Sequence, residues 1–225
     1  MKRNRIVIGV LLILLLLGGG IGAGYVFFQK NVNTENPDVY GRIYIPDTVI
    51  DYPVLQHKED NGYYLTHDEA GNENASGAIF SESYNSRSFE DNLTVLYGNN
   101  MEDGSMFGSL RKYSDNLYMQ EHPYIYVYAD DTEYKYRVFA AYLSDNRHIM
   151  ERFQSGKSSG NRMAYLNSIF ENRVMGAQID ERVIVDENSK ILTLSTHDEA
   201  GEEYRYLVQA CLIEKNKVSR IEAEE

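Results

Sequence analysis

Ile6 to Phe28 is a run of 23 residues without a charge. About 20 apolar residues at 1.5 Å each cross the ~30 Å hydrocarbon core of a bilayer as a helix, so this run constrains the chain more than any other. Lys2, Arg3 and Arg5 precede it. The positive-inside rule then sets residues 1–5 in the cytoplasm and everything after Phe28 outside. A cleaved signal peptide is the rival reading, and Gly18, Gly19, Gly20, Gly22, Ala23 and Gly24 offer a peptidase small residues. Its apolar core ordinarily runs ~7–15 residues, shorter than this one. The expectation is an uncleaved, single-pass anchor in the cell membrane, with the C-terminal part extracellular.

About 190 residues remain, enough for one domain with a real core. Residues 29–37 are polar and read as a linker, 38–220 as the domain and 221–225 as a tail. Without the three basic residues of the N-terminus, 19 basic side chains face 34 acidic ones, a net charge of −15. Such a surface repels nucleic acid and anionic lipid. A single cysteine, Cys211, excludes an intramolecular disulfide.

Nineteen tyrosines in short alternating runs favour a β-rich fold. Arg42 to Pro46 and Val49 to Leu55 read as two strands around a Pro-Asp-Thr turn, and Gly77 to Glu82 and Leu93 to Gly98 as two more. Gly104 to Tyr113 reads as a short helix with Ser105 as N-cap. Tyr124 to Tyr128 and Tyr134 to Leu143 form a hairpin about Asp130-Asp131. Met163 to Val174 has apolar residues at 163, 166, 169, 170 and 174, a helical period, with Ser158, Ser159 and Asn161 as its N-terminal signals. Lys190 to Thr196 and Tyr204 to Ile213 are the last strands. Eight or so strands with flanking helices suggest a closed or nearly closed barrel; periodicity alone does not separate this from a sandwich.

Two short stretches carry the chemistry. Thr193-Leu194-Ser195-Thr196 precedes His197, with Arg205 eight residues further on, and Tyr97-Gly98 precedes Asn99-Asn100. With Gly41-Arg42-Ile43-Tyr44-Ile45-Pro46, Tyr64-Leu65-Thr66-His67-Asp68, Gly77-Ala78-Ile79-Phe80 and Asp103-Gly104-Ser105-Met106-Phe107, they resemble the sortases, and class B members in particular. The likeness spans most of Tyr40 to Ile213. It implies an eight-stranded β-barrel with flanking helices and a membrane-anchored transpeptidase. In such an enzyme a thiolate attacks a Thr–X bond of a sorting signal, and an amine resolves the acyl-enzyme. It also implies substrate contacts at Thr193, Ser195, Thr196, Leu96 and Tyr97, with no metal or cofactor.

The chain departs from that family where the chemistry is done. A sortase has cysteine at the position of His197 and histidine at that of Asn99; only Arg205 matches. A thiolate is the soft, strong nucleophile the reaction needs, and a neutral imidazole is a poor match for an amide carbonyl. Asn99 does not titrate, so it cannot protonate a leaving amine. Arg205 reads either as an oxyanion or carboxylate ligand or as an ion-pair partner of Asp198, Glu199, Glu202 or Glu203. Cys211 lies six residues along the same strand from Arg205, roughly 20 Å away at ~3.3 Å per residue, and reads as a core residue. His67 reads as structural, and His57, His122 and His148 as solvated. His197 with Asp198 lacks the further ligands a metal site needs.

Three functions follow. The first is a silent sortase relative, a pseudoenzyme that binds sorting-signal peptides, surface proteins or an active sortase. The second is a cysteine-independent transpeptidase or peptidase using His197 with Arg205 in cell-wall anchoring. The third is a surface protein that keeps the barrel without the groove.

Overall fold

The computed structural model describes residues 36–154, 159–172, 174–198 and 201–218. The apolar run Ile6 to Phe28 lies outside them, as do most of the linker and the tail. Among these residues nine strands are formed: β1 (Val39–Tyr44), β2 (Asp51–Leu55), β3 (Ile79–Phe80), β4 (Leu93–Tyr97), β5 (Tyr124–Ala129), β6 (Thr132–Asp145), β7 (Gln178–Ile179), β8 (Ile191–Asp198) and β9 (Gly201–Lys217). Among the described residues three α-helices accompany them: α1 (Asn116–Glu121), α2 (Ile149–Gln154) and α3 (Ser159–Phe170).

Eight of the strands close a ring in the order β5-β1-β2-β3-β4-β8-β9-β6, sealed by the β5–β6 pairing, while β7 adds to the outer side of β6. Closure removes the exposed edges that an open sheet leaves. Pairing is parallel in β2–β3 and β4–β8. The β5–β6 hairpin turns at Asp130 and Asp131 with φ of 47° and 57°, the paired left-handed residues of a type I′ turn. The β1–β2 corner is held by the Thr48 hydroxyl, which donates to the Ile45 carbonyl and accepts from the Ile50 amide.

Period-2 alternation sorts the core into two layers. Leu192 and Leu194 of β8 with Tyr206, Val208 and Ala210 of β9 face the barrel interior, against Phe107, Leu110 and Tyr113. Ile191, Leu207 and Cys211 face outwards beneath Tyr165, Leu166 and Ile169 of α3. Since both faces are covered, β8 is buried throughout except at His197.

Several elements differ from the sequence expectation. Gly104 to Tyr113 is not an α-helix: a 3-10 segment, Gly108–Ser114, begins after Phe107, which makes no side-chain cap. Left-handed Gly104 and Met106, at φ of 81° and 50°, break any earlier helix, and the Ser105 hydroxyl bonds the Asp103 carboxylate instead. The helix read to Val174 ends at Phe170, leaving Val174 45% exposed. Ser158, one of its N-terminal signals, lies outside the described residues. Helices α1 and α2 have no counterpart in the sequence reading; α1 is capped by Asp115, which accepts from the Tyr118 amide.

Candidate active-site cleft

Three adjacent strands build the floor of the site. Tyr97 of β4 pairs with Ser195 of β8, and His197 of β8 pairs with Arg205 of β9. These four side chains share the outward sheet face. A Cβ at Gly98 would lie 2.5 Å from Ile79 and 2.8 Å from Phe107; this close approach explains the glycine after Tyr97. The four residues open into a cleft of about 230 Å³, walled by Asn61, Gly62 and Leu65, by Phe80 and Glu82, and by Asn146 to Ile149. His197 is exposed, Arg205 half-buried and Ser195 buried in the floor.

Asn99 is not among the cleft-lining residues. Its amide donates to the carbonyls of Leu65 (2.9 Å) and Ala75 (3.1 Å). It therefore pins the 62–78 loop to the end of β4 and braces Leu65, a wall of the cleft, from behind. The side chain acts on the architecture of the groove.

The structure separates the implied substrate contacts. Tyr97 and Ser195 line the cleft. Leu96 and Thr196 point the other way, into the barrel, where Leu96 joins the core. Thr193 shares the outward face but is fully buried under α3, bonded to Gln209 Nε2 at 3.1 Å. Gln209 also donates to the Tyr165 hydroxyl (2.9 Å) and accepts from the Tyr142 hydroxyl (3.3 Å). This buried network ties β6, β8, β9 and α3 together beside the cleft floor.

Asp198, next to His197, faces the opposite side of the sheet. Its carboxylate pairs with Arg111 at 2.9 Å and is 2% exposed. A His197–Asp198 metal pair is therefore not formed, and among the described residues no three His, Cys, Asp or Glu side chains converge. Cys211 is buried on β9, where burial pushes its thiol up.

The cleft holds a pair that the sequence reading missed. His148, read as solvated, places Nε2 2.7 Å from Glu82 Oε2, which also accepts from the Tyr97 hydroxyl at 3.0 Å. Burial, then the Glu82 carboxylate, pushes the Tyr97 phenol far up, so it stays a neutral donor. Glu82 follows β3 and His148 precedes α2, 66 residues apart, and no local pattern links them. The other histidines are also engaged. His67 Nδ1–H donates to the Tyr63 carbonyl at 2.9 Å, and the ring stacks on that of Tyr63 at 3.9 Å. His57 stacks on the other side of Tyr63 at 4.4 Å. His122 meets Asp47 at 3.1 Å and stacks on Tyr118.

The sortase domain family matches residues 43–213, so the chain belongs to the sortase family. Its relatives place it with class B. Sortase B of Listeria monocytogenes is 35% identical over 190 residues, covering 83% of this chain and 74% of that one. The crystal structure of Clostridium perfringens sortase B superposes with a TM-score of 0.73 at 26% identity, covering 83% of this chain and 100% of the other. A Staphylococcus aureus sortase B–substrate complex gives 0.72 at 26% identity over 92% of each chain.

Proposed function

We propose that this class B sortase-like protein is catalytically silent, that Ile6 to Phe28 anchors it in the cell membrane with the barrel outside, and that its cleft holds a sorting-signal peptide or a surface-protein assembly partner. The observation that carries the reading is the pair His197 and Arg205, side by side on β8 and β9 in an open cleft whose lining residues include no thiol. Family resemblance sets a cysteine at the His197 position. The chain's one thiol is buried and 5% exposed.

The second missing part supports the same conclusion. Expelling an amine requires a proton donor in the transition state. Asn99 has no titrating group, and its N–H bonds brace the 62–78 loop. Losing nucleophile and acid together removes groups that act as a unit. The groove itself persists, with apolar walls at Leu65, Phe80 and Ile149 and polar groups at Asn61, Asn146 and Arg205, the mixed lining that peptide pockets use. The substrate complex of the S. aureus relative supports a ligand of the same kind.

One observation favours the cysteine-independent reading: His148 on Glu82 is a carboxylate-oriented imidazole in the same cleft, the arrangement of a general acid–base pair. Incubation of the purified protein with a sorting-signal peptide and an amine acceptor separates the two. The silent reading expects neither cleavage nor transpeptidation. Turnover that disappears in His197→Ala would replace it with the altered-chemistry enzyme.

A further inference from the structure

Asn61-Gly62 is the chain's one Asn-Gly pair, and it stands in the wall of the cleft. The nitrogen that follows an asparagine can attack the side-chain amide to close a five-membered ring, and a glycine, without a Cβ, hinders that attack least. The fold itself does not ask for glycine at 62. Its φ and ψ of −98° and −5° are ordinary right-handed backbone. A Cβ there would meet nothing nearer than 3.5 Å.

The groups that the attack needs are in place. The Gly62 N–H donates to Asp60 Oδ1 at 2.8 Å, so the attacking nitrogen has a carboxylate on its proton. The backbone of Asp60 is fixed in turn, its amide donating to His57 Nδ1 at 2.9 Å. Asn61 Oδ1 accepts from the Ser83 amide at 2.8 Å. That N–H polarises the side-chain carbonyl and faces the oxygen on which negative charge develops. Both contacts are exposed, so water reaches them. Ring closure requires the Gly62 nitrogen to swing onto Asn61 Cγ. The backbone bond that closes this turn, from the Tyr63 amide to the Asp60 carbonyl, is 3.3 Å long, beyond the usual range, and an exposed turn held so loosely opens at little cost.

We propose that Asn61 is a self-modification site, converted to aspartate or isoaspartate with Asp60 as base and the Ser83 amide as oxyanion donor. The Gly62 nitrogen forms a bond to Asn61 Cγ as Asp60 takes its proton. The oxyanion collapses, the Cγ–Nδ2 bond breaks, and the nitrogen leaves as ammonia with the proton from Asp60. Water then opens the succinimide at either carbonyl. The product sets a new carboxylate in a cleft where, among the described lining residues, Glu82 is the only acid. The step needs no ligand in the cleft, so it stands apart from the peptide-binding reading.

The test incubates the full-length chain in detergent micelles at mildly alkaline pH and follows residue 61 by peptide mapping and mass spectrometry. Residue 61 gains the mass difference between an amide and an acid, and backbone fragmentation separates aspartate from isoaspartate. Gly62→Ala, which the turn accommodates, all but stops the conversion. Asp60→Ser keeps an oxygen acceptor for the Gly62 amide but removes the base, and slows the conversion roughly tenfold, a loss on the low side for a general base. A synthetic peptide of residues 57–66 is the control: the same Asp60→Ser change alters its rate little, because the turn that joins Asp60 to Gly62 is not held there. A folded Asp60→Ser protein that converts as fast as wild type, or faster, would overturn the assisted site and leave a bare Asn-Gly pair. A wild-type chain that keeps Asn61 intact while the peptide converts would show that the fold protects this residue, and would overturn the proposal as well.

Discussion

Replacing Gln209 by leucine tests whether the buried network beside the cleft floor holds the sheet to α3. Gln209 is fully buried and makes three side-chain hydrogen bonds: to Tyr165, to Thr193 and from Tyr142. Leucine is of similar size and fills the space, so the cavity term is small. Each lost bond costs about 1 kcal/mol net, and the hydroxyls left behind lose desolvated partners. The apolar gain of leucine offsets about 1 kcal/mol. The net is a loss of about 2 kcal/mol. For a domain of this size that lowers the melting temperature by roughly 4–8 °C. Urea unfolding followed by circular dichroism measures it. Because Tyr165 shares one of these bonds, Tyr165→Phe combined with Gln209→Leu costs less than the sum of the two single changes. A Gln209→Leu protein within about 0.5 kcal/mol of wild type, or strict additivity with Tyr165→Phe, would refute the network as a stabilising unit.

Three further outcomes follow. Asn99→Ala frees the Leu65 and Ala75 carbonyls; it costs about 1–2 kcal/mol, and amide exchange in residues 62–78 speeds up relative to β8. Asp180 is held below the usual carboxylate range, chiefly by Arg182 and also by Arg137. A depressed carboxyl stabilises above its unfolded pKa of ~3.9 and loses that contribution as pH falls through its folded value. Asp180→Asn is therefore destabilising at neutral pH, and its difference from wild type shrinks below about pH 4; an Asn variant equally destabilised at pH 7 and in strong acid contradicts this. Native Cys211 resists iodoacetamide near neutral pH, because it is buried and its thiol is pushed up, and reacts once urea unfolds the chain; rapid native labelling would place it at an accessible surface.

The site was legible in the sequence where strand pattern and motif coincide. β4, β8 and β9 carry the Tyr-Gly and Thr-Leu-Ser-Thr stretches on a nearly continuous apolar background, and their pairing brings Tyr97, Ser195, His197 and Arg205 to one face. Strand alternation alone also places Thr196 opposite His197, because successive side chains point to opposite faces; the assignment of Thr196 and Leu96 to substrate contact ignored that signal. The hairpin at Asp130-Asp131 was readable because two short polar residues in sequence tolerate left-handed backbone. The 3-10 segment was not, since Gly108 packs so closely on the Met101 carbonyl that a Cβ there would lie 2.3 Å from its oxygen. The Glu82–His148 pair and the bracing by Asn99 join positions 24 to 66 residues apart. Only closure of the barrel brings them together.

Intact-mass spectrometry after incubation with a sorting-signal peptide tests the central claim most directly. The account predicts that wild type keeps its mass, as does Asn99→His. His197→Cys alone acylates little, and the double variant His197→Cys/Asn99→His gains the mass of the acyl fragment, because nucleophile and acid act as a unit and Arg205 already stands beside position 197. Acylation of the wild-type chain at His197 would contradict the silent reading outright, and a folded double variant that is never acylated would show that the groove no longer presents a sorting signal to position 197.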